Sequence, residues 1–178
     1  MLITDEYRRQ QEVMHENPNY GTASVTFAPI VAQIIEKLQV TDLLDYGCGK
    51  MRLFDALKGK VKHQMRFQAY DPAIERLAGR PIPSPMVTCI DVLEHIEPDC
   101  LDDVLDDLQS LTMFVGFFSV SCKPANKTLP DGRNAHLIQE SPEWWIPKFT
   151  SRFELHTFQV VPSGFYVIVY KREQLVIS

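Results

Sequence analysis

The sequence predicts an α/β domain of three layers, in which a mostly parallel sheet lies between helices and ends in a C-terminal antiparallel hairpin. Short apolar runs typical of buried strands alternate with segments of helical periodicity, as in parallel sheets joined by helices. A Pro-Ser-Gly turn between two apolar runs near the C terminus predicts the hairpin. No segment resembles a linker, so we expect residues 1–178 to form a single domain.

Composition restricts the partners and the location. The net charge is −5 and no Lys/Arg cluster occurs, so binding to duplex DNA is not expected. The N-terminal segment has no apolar signal region, and no apolar stretch is long enough for a membrane span. We therefore expect a cytoplasmic protein with no membrane partner; the sequence gives no indication of oligomeric state. The cysteines lack CxxC spacing, which favours reduced packing residues at Cys48, Cys89, Cys100 and Cys122.

The N-terminal half predicts three helices and two strands. Thr4 is expected to cap a helix that runs to about His15, and Pro29 is expected to open a second helix. After these come a strand over residues 42–46, a helix over 51–58 and a second strand over 65–71.

The C-terminal half continues the alternation. A proline-rich loop is followed by a third strand over residues 86–92, and Pro98 is expected to open an amphipathic helix. The outward face of that helix carries five aspartates, and we interpret it as a solvated surface. A fourth strand over 113–121, a long polar connection and a helix capped by Ser141 precede the hairpin over 152–173.

A glycine turn, Asp45-Tyr46-Gly47-Cys48-Gly49, lies between the first strand and its helix. Glycines at such a point permit a ligand to approach the backbone closely. Asp71 stands 22 positions after Gly49, at the end of the next strand, where its carboxylate can accept hydrogen bonds from both hydroxyls of a ribose. The two features predict a nucleoside-containing cofactor. Arg52 occupies the place of the third fingerprint glycine, which argues against an NAD-dependent enzyme.

This turn resembles motif I, D/E-x-G-x-G, of the class I S-adenosylmethionine-dependent methyltransferases. The stretch "AYDP" around Asp71 is similar to their ribose-binding strand end, and "DVLEHI" from Asp91 is similar to the stretch after their fourth strand. The closing hairpin is similar to their reversed last strand pair. The resemblance implies a Rossmann-like core over residues 40–172, with an N-terminal helix and lid over 1–28.

The resemblance also implies S-adenosylmethionine as cofactor. Asp45, Gly47 and Gly49 would surround its methionine moiety, Asp71 would bind its ribose, and the residues from Asp91 onward would lie along it. The cofactor-binding residues implied in this way are Asp45, Tyr46, Gly47, Cys48, Gly49, Asp71, Pro72, Asp91, Val92 and Leu93.

Two positions depart from the family pattern. Met51 stands where the family often has a third glycine, and it is expected to narrow the turn. Only 14 residues separate Asp71 from Met86, too few for the usual helix, strand and helix. We therefore expect edge strand 3 to be missing, with adenine held by residues 72–77, by residues 89–92 or by both.

Methyl transfer requires positioning, and a base where the acceptor must lose a proton. Glu94, His95 and His136 are the candidate catalytic residues, although each histidine can also be structural, bonded to backbone. The pattern Asp91-x-x-Glu94-His95 with a later histidine resembles the metal-binding pattern of the plant and bacterial small-RNA 3′-end 2′-O-methyltransferases. Some ubiquinone-pathway O-methyltransferases carry related acids here. The resemblance implies a divalent metal, Mg or Mn, bound by Glu94, His95 and His136, with Asp91 as a further candidate.

The acceptor is expected to meet the polar loop at residues 127–136. Lys127 and Arg133 can bind a phosphate or carboxylate there. Trp144 and Trp145 either stack on an acceptor ring or pack partly in the core. From the family's habit of covering its site with the N-terminal segment, Tyr20 and Gly21 are expected to form a lid.

The predicted function is S-adenosylmethionine-dependent methyl transfer to an oxygen or nitrogen nucleophile of a small-molecule or exposed-end acceptor. One alternative is a metal-assisted 2′-O-methyltransferase acting on an RNA or nucleotide end. A second alternative is a catalytically inactive member of the fold that binds S-adenosylmethionine, or no ligand, and serves as a partner subunit. Met51 and the missing strand favour it, whereas the intact Asp45, Asp71 and DVLEH stretch oppose it. The residues do not identify the acceptor.

Overall fold

The sheet of the computed structural model, which describes residues 1–18 and 20–172, has six strands. They are β1 Asp42–Tyr46, β2 Arg66–Tyr70, β3 Ser84–Ile90, β4 Thr112–Ser121, β5 Phe153–Val161 and β6 Gly164–Lys171. Their spatial order is β2-β1-β3-β4-β6-β5; the first four are parallel neighbours, and β6 is antiparallel to β4 and β5. The mostly parallel sheet with a C-terminal hairpin is confirmed. Residue 173, the predicted end of the hairpin, lies outside the described residues.

Helices cover both faces of the sheet. They are α1 Asp5–Glu16, α2 Ala23–Leu38, α3 Arg52–Leu57, α4 Leu101–Leu111 and α5 Pro142–Thr150. One core lies between the sheet and α2 with α3, and the other lies between the sheet and α4 with α5. The predicted three layers are therefore present. Among the described helices, none combines the length and apolar character needed to cross a membrane.

Several predicted element boundaries were wrong. Pro98 opens a 3₁₀ turn, Pro98–Cys100, and the α-helix begins at Leu101. The second helix starts at Ala23, and Pro29 lies inside it. Phe27, which precedes the proline, packs against Phe117 and Tyr166, and this buried contact stabilises an additional turn at the start of the helix. The proline ring removes one backbone hydrogen bond without ending the helix. The third strand starts at Ser84 and ends before Asp91, with an irregular register beside Pro85, which has no N–H to donate.

The prediction that an outer strand is missing is confirmed for the described residues. Between β2 and β3 the chain forms only a short 3₁₀ turn, Glu75–Leu77, and β2 is an edge of the sheet. The side-chain amide of Gln68 donates to the carbonyl of Ile82 and accepts from its N–H, both at 3.0 Å. One side chain thus ties the connecting segment to the edge strand.

The predictions for the start of α1 and for the cysteines agree with the structure. The Thr4 hydroxyl accepts a hydrogen bond from the N–H of Tyr7 at 3.2 Å and so caps α1. The Thr4 N–H and hydroxyl both donate to the carboxylate of Glu97, which fixes the start of α1 against the core. All four cysteines are free, and three of them are buried, which agrees with their interpretation as packing residues.

Candidate active site

A cavity of about 600 Å³ lies at the carboxyl ends of β1, β2 and β3. Its walls are the glycine turn, the residues after β2 and β3, one face of α1, and the loop that follows β4. Nine of the ten residues predicted to bind a cofactor line it: Asp45, Tyr46, Gly47, Cys48, Gly49, Asp71, Pro72, Asp91 and Val92. The tenth, Leu93, is fully buried in the core beneath α4. The structure therefore brings residues from three strand ends to one cavity.

The glycine turn is fixed to the end of β2. The N–H groups of Gly47 and Cys48 donate to the Tyr70 carbonyl at 2.8 and 3.1 Å. Gly47 has a φ of +73°, and a Cβ at this position would lie 2.5 Å from Cγ2 of Val92. Both its conformation and its neighbour therefore require glycine. Met51 adopts the left-handed region at φ 59°, which is unfavourable for a residue with a side chain.

Asp71 joins the glycine turn to the residues after β2. Its buried carboxylate accepts hydrogen bonds from the N–H of Gly49 at 2.9 Å on one oxygen and from the N–H of Ala73 at 3.0 Å on the other. A carboxylate offers about four acceptor positions. Two of them remain after these bonds, and the side chain lines the cavity.

Asp45 lies at the inner wall of the cavity and is almost fully buried. Thr88 donates a hydrogen bond to its carboxylate at 2.8 Å. Burial raises the pKa of Asp45 to about 7, although the bond from Thr88 favours the ionised form. A nearby cation would therefore shift this group toward its charged state.

The two candidate catalytic histidines meet edge to face, with ring centroids 4.7 Å apart. Nδ1 of His95 lies 2.7 Å from the carbonyl of Ala135, and Nδ1 of His136 lies 2.5 Å from the carbonyl of Lys123. Because a carbonyl can only accept, each Nδ1 carries the proton in the tautomer that this network favours. Each Nε2 then keeps a lone pair. Burial lowers the pKa of His95 to about 4, so its imidazole is neutral at physiological pH.

Glu94 lies beside these histidines and is fully buried. One carboxylate oxygen accepts from the N–H of Ser121 at 2.9 Å, whereas the other has no hydrogen-bond partner among the described residues. Burial raises the pKa of Glu94 well above its ordinary value, and the charge of Asp91 adds to this effect. One ligand atom from each of Glu94, His95 and His136 lies within 4.8 Å of the others. Asp91 is outside this group and is hydrogen-bonded to the hydroxyl of Ser119.

Sequence reasoning missed the contribution of α1. Tyr7, Gln11 and His15 line the cavity from one face of this helix. Tyr7 donates to the carbonyl of His95, Gln11 donates to the Tyr7 hydroxyl, and Tyr20 donates to the side-chain carbonyl of Gln11. The signal was present in the spacing, because three polar side chains recur every four residues and so share one helix face.

Some predicted acceptor residues lie elsewhere. Arg133 is paired with Asp131 and is not among the residues that line the cavity. Trp145 is fully buried in the core, and Trp144 lies under the ammonium of Lys148, 4.2 Å from its ring centroid. Lys127 does reach the cavity, where its ammonium lies 5.1 Å from the ring centroid of Tyr20. Tyr20 and Gly21 line the cavity as well.

No protein-family model matches the chain, and no curated protein matches it. Solved structures do match. A 1,6-didemethyltoxoflavin-N1-methyltransferase from Burkholderia thailandensis, solved with S-adenosylhomocysteine and 1,6-didemethyltoxoflavin bound, is 17% identical with a TM-score of 0.65; the match covers 94% of this chain and 90% of that one.

Two further similar structures are methyltransferases. An S-adenosylmethionine-bound amino pentose methyltransferase from Micromonospora echinaspora is 11% identical with a TM-score of 0.60, over 97% of this chain and 99% of that one. A small RNA methyltransferase is 14% identical with a TM-score of 0.61, over 89% of this chain and 27% of that one. At these identities the likeness concerns the fold. The chain has the Rossmann-like fold of class I S-adenosylmethionine-dependent methyltransferases, and its described residues lack one outer strand.

Proposed function

We propose that the chain is an S-adenosylmethionine-dependent methyltransferase that acts on an oxygen or nitrogen nucleophile of a small or exposed acceptor. The observation that carries the proposal is the position of Asp71. Its carboxylate fixes the glycine turn and still has acceptor positions directed to the cavity. Two hydroxyls of a ribose fit such a group. The similar structures solved with S-adenosylmethionine or S-adenosylhomocysteine support the same ligand.

The remaining wall suits a cationic cofactor. S-adenosylmethionine supplies an electrophilic methyl group on a sulfonium when it is bound. Asp45 and Asp91 line the cavity as carboxyl groups whose pKa is raised by burial, and a positive charge nearby would favour their ionised forms. Gly47 and Gly49 present bare backbone, which permits close approach to the methionine portion.

The two histidines would act on the methyl acceptor. His95 and His136 both line the cavity, and each directs a protonated Nδ1 to a backbone carbonyl. When no metal is bound, either Nε2 can accept a proton from an acceptor hydroxyl or amine. The loop with Lys127 borders the same region and supports acceptor recognition there.

Calorimetric titration with S-adenosylhomocysteine tests the proposal, with NAD as the control ligand. We expect S-adenosylhomocysteine to bind and NAD not to bind. If a cooperatively folded sample binds neither, the proposal is contradicted and the inactive partner subunit becomes the better interpretation. If NAD alone binds, the assignment of the glycine turn is wrong.

We propose further that methyl transfer is assisted by a divalent metal held by Glu94, His95 and His136. The specific observation is the unpartnered, fully buried oxygen of Glu94 beside two imidazoles whose Nε2 atoms are free. The carbonyls of Ala135 and Lys123 orient these imidazoles as outer-shell groups do in metal sites. A bound divalent ion would supply Lewis acidity that lowers the pKa of an acceptor oxygen. Two imidazoles with one carboxylate favour manganese over magnesium.

Thermal unfolding with added manganese or magnesium tests the metal. We expect manganese to raise the melting temperature more than magnesium, and the Glu94→Gln substitution to abolish the shift. The same variant should bind S-adenosylhomocysteine within about threefold of the wild type, since Glu94 is not among the residues lining the cofactor cavity. An unchanged melting temperature in millimolar manganese would contradict the metal site.

The acceptor of such a site would carry an ionisable oxygen, and the 2′-hydroxyl of an RNA or nucleotide end is one candidate. A single-stranded RNA with a 3′-terminal 2′-hydroxyl can be compared with the same strand ending in a 2′-deoxy nucleotide. Manganese-dependent methylation of the first strand alone would support this acceptor, and methylation of neither would leave small molecules as the proposed class. A cytoplasmic location remains a prediction, supported by the free cysteines.

A further inference from the structure

We infer that His15 of α1 is a cofactor-binding residue that holds the ribose hydroxyls together with Asp71. The inference rests on the proposed function and extends it to the N-terminal helix. It means that the cofactor site of this chain is completed by a helix outside residues 40–172, the range that carries the sequence motifs of the methyltransferase family.

His15 lies directly over the glycine turn. Its Cε1 would be 3.4 Å from a Cβ on Gly49, an ordinary van der Waals distance, so its ring packs against the turn at this position. Its Nε2 is 3.9 Å from the carboxylate of Asp71, which is too long for a direct hydrogen bond. The imidazole and the carboxylate thus flank the same part of the cavity wall without bonding to each other.

The second ring nitrogen of His15 is unsatisfied. Nδ1 is buried and has no hydrogen-bond partner within residues 1–18 and 20–172. A buried polar atom without a partner costs about 1–3 kcal/mol, so such atoms call for an explanation. Rotation of the imidazole about its Cβ–Cγ bond would turn this nitrogen toward Asp71 and the cavity, where a ligand hydroxyl would supply the missing partner.

The chemistry of the pair suits a diol. Burial lowers the pKa of His15, only partly offset by the charge of Asp71, so the imidazole is neutral and has one donor and one acceptor nitrogen. Asp71 has acceptor positions left after its two backbone bonds. A hydroxyl both donates and accepts, and two vicinal hydroxyls can therefore be shared between these side chains.

The position of His15 is maintained by contacts on both sides of it. At the start of α1, Thr4 bonds to Glu97 and Tyr7 bonds to the carbonyl of His95. After its last turn, Lys50 donates to the carbonyl of Asn17 at 2.8 Å and Arg52 donates to that of Pro18. These contacts hold the helix against the glycine turn. A ligand-binding side chain needs such support, because its position must be fixed before the ligand binds.

The experiment compares the wild type and three variants, each with three ligands, by calorimetry. His15→Phe keeps a ring of similar size and removes both nitrogens, and His15→Gln keeps a polar group. His63→Phe is the matched control, because His63 is also half-buried and bonded to a backbone carbonyl, that of Val40, away from the cavity. The ligands are S-adenosylhomocysteine and its 2′-deoxy and 3′-deoxy analogues. Melting temperatures without ligand show whether each variant folds.

We expect His15→Phe to weaken S-adenosylhomocysteine binding by about tenfold, with His15→Gln intermediate and His63→Phe unchanged. In the wild type at least one deoxy analogue should bind about tenfold more weakly, and this difference should shrink in His15→Phe because the bond is already lost. Equal affinity of folded His15→Phe and wild type for S-adenosylhomocysteine would overturn the inference alone. Failure of the wild type to bind S-adenosylhomocysteine would overturn the proposed function, and this inference with it.

Discussion

Asp71 and Glu94 are both buried carboxyl groups, in the segments that follow β2 and β3, yet their oxygens have different hydrogen-bond partners. Both oxygens of Asp71 accept backbone N–H groups, from Gly49 and Ala73. Glu94 has such a partner, Ser121, on one oxygen only. We call residues 45–49 with 71–73 the glycine-turn half of the site, and Glu94, His95 and His136 the histidine half.

The difference indicates how each half acquires its shape. The glycine-turn half is fixed by bonds within the protein, so we expect it to have the same geometry before and after a ligand binds. The histidine half has rings held by backbone carbonyls and one carboxylate oxygen without a partner among the described residues, a partner that the proposed metal would supply. Substitutions should therefore change stability strongly in the first half and weakly in the second.

The largest expected effect comes from Gly47→Ala, which should lower the free energy of unfolding by about 3 kcal/mol. The new Cβ would have to share space with Val92. Gly59→Ala is the control, since Gly59 has the same φ of +73° and open space around it. Gly59→Ala should lower the free energy of unfolding by only about 1 kcal/mol, the cost of placing a residue with a Cβ in the left-handed region. Urea unfolding measures both, and equal losses would show that the contact with Val92 is unimportant.

The second effect concerns pH. Because the pKa of Asp45 is raised to about 7, the folded state holds a proton that the unfolded state releases near pH 4. This contribution is present at low pH and is lost as the pH rises toward 7. Between pH 4.5 and 7, the wild type should lose about 2–3 kcal/mol more stability than Asp45→Asn, a neutral isostere that can still accept from Thr88. Parallel pH profiles of the two proteins would contradict a neutral Asp45.

The third effect tests the internal bonds of the glycine-turn half. Asp71→Asn keeps the size of the side chain but offers one carbonyl oxygen for two backbone donors. We expect a loss of about 2 kcal/mol in unfolding free energy, the cost of one unsatisfied buried N–H. Binding of S-adenosylhomocysteine should fall by about a hundredfold. Unchanged stability would mean that the turn does not depend on this carboxylate.

The smallest effect is expected for Glu94→Gln, the equivalent change in the histidine half. Without metal, it should change the unfolding free energy by less than about 1 kcal/mol, because the bond from Ser121 can persist and the lost oxygen had no described partner. Chemical denaturation in the presence of a chelator gives the value. A loss as large as that of Asp71→Asn would remove the distinction between the two halves.

Much of this architecture is accessible from the sequence. β1 was predicted over its observed bounds, since five residues between a polar turn and the glycines form one buried strand. The missing outer strand followed from chain length alone, because 14 residues cannot form a helix, a strand and another helix. Pairing of the C-terminal strands followed from their turn.

Tertiary packing accounts for what the sequence did not reveal. The start of α2 depends on the contact of Phe27 with the rings of Phe117 in β4 and Tyr166 in β6, which no local sequence pattern shows. The role of α1 depends on where the helix packs. The four-residue spacing of its polar side chains predicts a polar face, but it does not predict that this face lines the cavity. Glu94, His95 and His136 do lie close together, and their role as metal ligands remains a prediction. The orientation of the two rings depends on the carbonyls of Ala135 and Lys123, from a loop with no recognisable motif.

The edge of the sheet at β2 also affects how this molecule behaves among its own copies. A strand that has lost its neighbour offers an open row of backbone groups, which promotes intermolecular pairing and aggregation. Here Gln68 occupies both backbone groups of Ile82, and prolines at positions 81, 83 and 85 deprive the adjacent segment of donors. The segment that stands in place of a whole strand cannot continue the ladder, so the shortened sheet ends at β2.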